Sequence, residues 1–153
     1  MCLLLRKFGQ FGRFGKDTGE IPAGEMPPSI KWGKDGEITG YKVYRKVYRK
    51  EVNSLESTCY QCIVKSSGQV ISNRKSINLT EFEKTSVDYG IHVFLNKKDA
   101  IDEMRDYIAG EHVIIPVRCK KQYLVTTGWY WDMPSAVFMK VLIDNKTWKR
   151  IWK

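Results

Sequence analysis

The stretch Gly90-Ile91-His92-Val93-Phe94-Leu95-Asn96-Lys97-Lys98-Asp99-Ala100-Ile101-Asp102-Glu103-Met104-Arg105-Asp106-Tyr107-Ile108-Ala109-Gly110 decides the fold class. Ile91–Leu95 is a short apolar run of strand length. Asn96 is a good N-cap, and Asp99 places a negative charge in the first turn, where it suits the helix dipole. Ala100, Ile101, Met104, Tyr107 and Ile108 then fall on one helical face. Gly110 fits the C′ position. The stretch therefore predicts a strand followed by a helix over 97–109.

Outward from this unit the signals are strands. Towards the C-terminus, 112–117, 122–127 and 136–143 read as strands. Towards the N-terminus, 38–48 reads as a strand because β-branched and aromatic residues dominate it. Thr58–Val64 alternates and reads as another. Ser66-Ser67-Gly68 is a turn across which Gln69–Ile71 is expected to pair back. Asn78–Lys84 suits one or two helical turns, and the leucines of Met1–Leu5 suit a short edge strand. The expectation is an α+β domain: a largely antiparallel sheet of about six strands with one main helix, 97–109, packed on one face.

Residues 6–37 differ in composition. Phe8-Gly9, Phe11-Gly12 and Phe14-Gly15 are followed by Gly19, Pro22, Gly24, Pro27, Pro28, Gly33 and Gly36. Such Gly/Pro density prevents long regular elements. Residues 1–37 are thus expected to be an N-terminal arm or long loop, either a plain leader or an arm that orders on a partner. Residues 38–153 are expected to form a single domain with a basic C-terminal tail.

The 153 residues carry 26 Lys+Arg against 17 Asp+Glu, a formal net charge of +9. The excess is concentrated: residues 1–50 carry +6 and residues 51–153 carry +3. An excess of this kind favours a polyanionic partner: nucleic acid, an anionic membrane surface or an acidic protein. No apolar run approaches bilayer-spanning length, so no membrane partner is expected. Met1-Cys2-Leu3-Leu4-Leu5 is too short for a secretory core, and its basic residues Arg6 and Lys7 follow it. A cytoplasmic protein with free thiols is expected.

Within the basic third, Lys-Val-Tyr-Arg is written twice, as Lys42-Val43-Tyr44-Arg45 and Lys46-Val47-Tyr48-Arg49. On a strand, Lys42, Tyr44, Lys46, Tyr48 and Lys50 share one face, and Arg45 and Arg49 lie on the other. Lysines alternating with tyrosines neutralise phosphates and offer rings for bases to stack on. Lys42, Tyr44, Arg45, Lys46, Tyr48, Arg49 and Lys50 are therefore the candidate nucleic-acid-binding residues. Trp148, Ile151 and Trp152, interleaved with Lys149, Arg150 and Lys153, form a basic amphipathic tail whose tryptophans are expected to dock while its lysines stay in solvent.

Other constellations are weaker. Cys59-Tyr60-Gln61-Cys62 is a CxxC, but on a strand residues i and i+3 face opposite sides, and no second CxxC exists. His92 and His112 are the only histidines and lie in strand-like runs. No metal and no cofactor is expected. There is no Gly-x-Gly-x-x-Gly after a strand, no P-loop and no His-Glu-x-x-His.

Two resemblances accompany these residues. Arg45, then Ser72, then Glu81-Phe82-Glu83 resembles the order of motifs in arginine-specific ADP-ribosyltransferases. That resemblance implies an alternative in which Arg45 and Ser72 hold the nicotinamide dinucleotide and Glu83 stabilises the transition state. The second resemblance rests on Met1-Cys2-Leu3, Tyr41-Lys42-Val43, Gly90-Ile91-His92-Val93-Phe94 with the Asn96–Ala100 helix start, and 113–119 followed by Gly128 and the 136–141 strand. Together these resemble a loose family of short phage and prophage proteins. The chain departs from the family in its 6–37 segment, in Ile91 and in its basic tail. The resemblance implies a phage-type origin and a counter-defence setting, in the manner of an anti-CRISPR inhibitor. The reading carried forward is a small basic, non-enzymatic protein that engages nucleic acid or a host nucleoprotein and inhibits a host anti-viral nuclease. A module that docks on an acidic host protein is the remaining alternative.

Overall fold

The computed structural model describes residues 3–4, 28–57, 63–72, 86–87, 90–107, 109–130 and 133–153. Among them are eleven strands and two helices. In chain order these are β1 (Leu3–Leu4), β2 (Glu37–Arg49), β3 (Val52–Ser57), β4 (Ile63–Val64), β5 (Gly68–Ile71), β6 (Ser86–Val87), β7 (Ile91–Phe94), α1 (Lys97–Arg105), β8 (Glu111–Lys120), β9 (Leu124–Tyr130), β10 (Met133–Phe138), β11 (Lys140–Ile143) and α2 (Asn145–Ile151). A single 3-10 turn, Lys121–Tyr123, leads into β9. The α+β, largely antiparallel character is as expected, but the sheet has far more strands than six.

The strand order is β5-β11-β8-β2-β7-β10-β9-β1-β6, with β3 branching from β2 and β4 from β3. This order forces the sheet to curl. Three strands lie between β10 and β11, so in a flat sheet the two would be about 19 Å apart at ~4.8 Å per strand. Yet only Met139 separates Phe138 from Lys140. From Phe138, which pairs with Ile91, to Leu142, which pairs with Arg118, four residues reach at most about 14 Å. The gap closes only if β8, β2 and β7 wrap round to meet one bent strand. Met139 stitches the bend: its N–H donates to the Tyr123 carbonyl at 2.8 Å, and its carbonyl accepts from the Ser72 N–H at 2.8 Å.

The wrapped sheet encloses the main core. Tyr44, Leu55, Ile91, Val93, Ile115, Val117, Cys119, Ala136, Phe138, Val141 and Ile143 are buried in one cluster. Gly40 lets β2 approach this interior. A Cβ there would stand 2.9 Å from Val93 Cγ2 and 3.2 Å from Cys119 Sγ. On the opposite face of β2 and β7, Val43 and Phe94 pack with Ala100 of α1, flanked by Met104, Tyr107 and Tyr130.

Several sequence expectations are corrected. The 136–143 run is two strands, because β10 and β11 belong to opposite sides of the wrapped sheet. β5 pairs with β11 and not back across the 66–68 turn. β3 arises without an Asn-Gly signal: Lys50 (φ 49°) and Glu51 (φ 63°) supply the two left-handed residues that a two-residue hairpin turn needs. β1 lies between β9 and β6, so it is not an edge strand.

α1 stops at Arg105. The N–H groups of Asp106 and Tyr107 turn back to the Glu103 and Met104 carbonyls, tightening the end before the chain enters β8. Gly110 (φ 86°) therefore serves the approach to β8 instead of capping the helix.

The tail is helical. Asp144 caps α2, its carboxylate accepting from the Thr147 N–H at 2.7 Å. At the other end of the chain, Ile30 and Trp32 pack against the main core, with Trp32 edge-on to Phe138 at 6.2 Å. The packed domain thus extends N-terminally of residue 38. Residues 5–27, 58–62 and 73–85 lie outside the described residues, and with them the Phe-Gly segment, the CxxC and the 78–84 turn. Among the described residues no helix is long and apolar enough to cross a membrane.

Candidate nucleic-acid interface

The Lys-Val-Tyr-Arg repeat forms β2 as expected, but β2 is an interior strand. β8 runs along one edge of it, and β7 followed by β3 runs along the other. Alternation therefore divides its residues between two packed faces. Tyr44 is fully buried in the main core, so no base can stack on it. Lys42 sends its ammonium to the His92 carbonyl at 3.1 Å and lies over the Tyr44 ring at 5.4 Å. Arg45 is ion-paired with Glu56. Lys46 pairs with Glu111 at 3.3 Å and covers the Trp152 ring at 4.9 Å. Each of these three cations is thus engaged by groups of the fold. Tyr48 (66% exposed) and Lys50 at the hairpin tip face solvent, while the Arg49 side chain lies outside the described residues.

A different basic surface forms at the other end of β2. Leu142 pairs with Arg118, and the same antiparallel register brings Lys140 opposite Lys120. Lys140 also pairs with Ile71, and Lys120 with Glu37, so Ile71, Lys140, Lys120 and Glu37 form one row across four strands on the outer face. Arg118 stands one row behind. Like charges directly opposed on neighbouring strands are unfavourable. Glu37 relieves part of this, binding Arg118 at 2.8 Å and approaching Lys120 at 3.9 Å. This hydrogen bond and the Glu37 charge raise the Arg118 pKa further.

Tyr123 reports the remaining positive field. Its ring lies 4.7 Å below the Lys140 ammonium. Its phenol is held below the ordinary tyrosine range, first by a hydrogen bond with the Gln122 side chain, then by the charge of Lys140, with Lys120 adding to it. Lys121, exposed in the 3-10 turn, adds another cation, and its N–H is tied to the Gly36 carbonyl at 2.9 Å.

α2 extends this surface. Asp144 is held below the usual carboxylate range, first by the Thr147 N–H and then by nearby Arg118 and Arg150 among other causes. Arg118 on the sheet and Arg150 on the helix therefore both act on the Asp144 carboxylate through their charge. Lys146, Lys149, Arg150 and Lys153 are exposed, while Trp148, Ile151 and Trp152 pack against the core. The helix carries positive charge from the Arg118 end of the barrel to the Trp152–Lys46 contact.

The ADP-ribosyltransferase trio is not assembled among the described residues. Ser72 follows Ile71 at the Glu37 end of the sheet. Arg45 lies eight residues further along β2, about 26 Å in extended chain. Glu83 lies outside the described residues. Cys119 is buried, and burial pushes its thiol up to about 12, the wrong direction for a nucleophile. His92 is buried, and His112 stacks on Tyr107 at 4.7 Å. Among the described residues no group of three or more His, Cys, Asp or Glu is gathered as a metal ion needs.

Sequence reasoning missed Arg118, Lys120, Lys121, Tyr123 and Lys140. Arg118 and Lys120 do alternate around Cys119, a signal for one charged strand face. Lys140 comes from a strand twenty residues later, and nothing local ties it to Lys120.

No protein-family model matches the chain, and the curated proteins and solved structures likewise yield no match.

Proposed function

We propose that the protein binds a polyanion, nucleic acid or a nucleoprotein, through the surface formed by Arg118, Lys120, Lys121, Lys140 and Tyr123 and extended by α2. The observation that carries this reading is the juxtaposition of Lys120 and Lys140 across the β8–β11 seam. With Lys120 3.9 Å from Glu37 and Lys140 over the Tyr123 ring, this seam offers a phosphate two cations from neighbouring strands. The exposed Lys146, Lys149, Arg150 and Lys153 supply further phosphate contacts along the same side. In this reading the protein is not an enzyme. The counter-defence setting follows from the phage-like motifs alone: occupying the nucleic-acid channel or guide of a host nuclease requires a basic, backbone-reading surface of this type.

The test is a salt titration of binding to a labelled RNA and a matched DNA duplex, for the parent protein and a Lys120→Glu/Lys140→Glu variant. Counterion release makes the affinity fall linearly with salt on logarithmic axes. The variant should bind more weakly at every salt concentration and show a shallower slope. Unchanged affinity and slope, or no binding by the parent near physiological salt, would overturn the proposal.

A further inference from the structure

We infer that the tip of the β2–β3 hairpin is a base-stacking site for single-stranded nucleic acid, with Tyr48 as its platform. This rests on the nucleic-acid reading above and adds the class of nucleic acid. Tyr48 is 66% exposed, the most exposed of the large apolar side chains among the described residues. The other tyrosine of the repeat, Tyr44, fills the core, so the two copies of Lys-Val-Tyr-Arg have separate tasks.

The hairpin fixes the backbone that carries the ring. Tyr48 pairs with Asn53 in the ladder, and the turn beyond it is a tight two-residue reversal at Lys50 and Glu51. Tyrosine suits such a position because it offers a large flat surface at small conformational cost.

The surroundings have the charge that a nucleic-acid backbone needs. Lys46 lies two residues back on the same strand face, about 6.6 Å away along the chain, and Lys50 is the first of the two left-handed turn residues. Lys46 is tied to the Trp152 ring, which brings the end of α2, with exposed Lys149 and Lys153, to this side. Glu111, which pairs with Lys46, and Glu51 in the turn balance the charge of Lys46 and Lys50, so the surplus positive charge on this side is that of Lys149 and Lys153. A base in a duplex is covered on both faces by its neighbours, so an open tyrosine ring is usable only by an unstacked strand.

The test compares the parent protein, Tyr48→Ala and Tyr48→Phe at fixed salt, by fluorescence anisotropy with a labelled oligothymidylate and a labelled duplex. Because the ring is exposed, all three proteins should share one thermal midpoint. Tyr48→Ala should weaken single-strand binding roughly 5- to 150-fold and leave duplex binding unchanged, and Tyr48→Phe should restore the loss. If the parent binds both ligands and Tyr48→Ala changes neither, or weakens both equally, this inference fails and the polyanion reading stands. If the parent binds neither ligand, both fail.

Discussion

The Lys140 ammonium lies 4.7 Å from the centre of the Tyr123 ring, at the β8–β11 seam where the register sets Lys140 opposite Lys120. The contact joins two segments that the bend at Met139 brings together, and it makes the local field measurable. The Tyr123 phenol is held low first by the Gln122 hydrogen bond and then by Lys140. Lys140→Ala should therefore raise the Tyr123 pKa towards its ordinary value, read from phenolate absorbance during an alkaline titration. A lowered folded-state phenol pKa contributes stability above the unfolded pKa that is lost as pH falls through the folded one. The parent should thus gain stability relative to Lys140→Ala as pH rises into the tyrosine range. An unchanged or lower Tyr123 pKa in the variant would contradict the arrangement.

Gly40→Ala should destabilise the domain by about 1–3 kcal/mol, the usual penalty for forcing extra volume into a packed core. Its methyl would meet Val93 Cγ2 at 2.9 Å and Cys119 Sγ at 3.2 Å. Urea unfolding measures the loss. Pairing the change with Cys119→Ala should recover part of it, because one of the two clashing groups is removed.

The hairpin turn offers a change of opposite sign. Glu51 holds φ 63°, a backbone region unfavourable for residues with a Cβ. Glu51→Gly removes that strain and adds chain entropy to the unfolded state. The balance should favour the folded protein by about 0.5–1 kcal/mol. A fall in the thermal midpoint would show that the Glu51 side chain makes a contact outweighing its backbone cost.

Asp144→Ala should cost about 1 kcal/mol, the ordinary value of a lost N-cap, because Thr147 N–H loses its carboxylate acceptor. The Asp144 pKa is lowered in the fold, first by that same N–H. Its contribution is therefore complete above the ordinary carboxylate pKa and disappears as pH falls through the lowered value. The stability gap between parent and variant should be constant near neutrality and close in strong acid. A gap that persists at the acid end would mean that the loss has another cause.

The fold class was legible because the 90–110 stretch combines a strand with an amphipathic helix and most other apolar runs have strand length; Asn96 holds the N-cap position, but its side chain makes no capping bond and its amide donates to Asp99 instead. The wrapping was not legible. Ala136–Ile143 is one largely apolar run, and nothing in it announces that Phe138 and Lys140 belong to two strands with different partners. The site was half legible. Lys-Val-Tyr-Arg identified β2 correctly, but alternation alone does not say which faces are covered, and both are covered over most of its length. Lys42, Arg45 and Lys46 look like free cations in sequence because their partners, His92, Glu56, Glu111 and Trp152, are distant along the chain. Tyr48 and Lys50 escape this only by lying at the tip.

The bend at Met139 has a consequence for how the molecule is made. The segment 133–143 ties the two arms of the wrapped sheet together, and its partners are spread from β5 through β9. Until it arrives, β7 and β8 expose the ladder edges it will occupy, and the core has no far wall. Folding therefore waits on contacts distant in sequence, the condition that slows a chain most. A ribosome that has released residues up to Phe138 holds an unclosed sheet, and five more residues, Met139–Ile143, complete it.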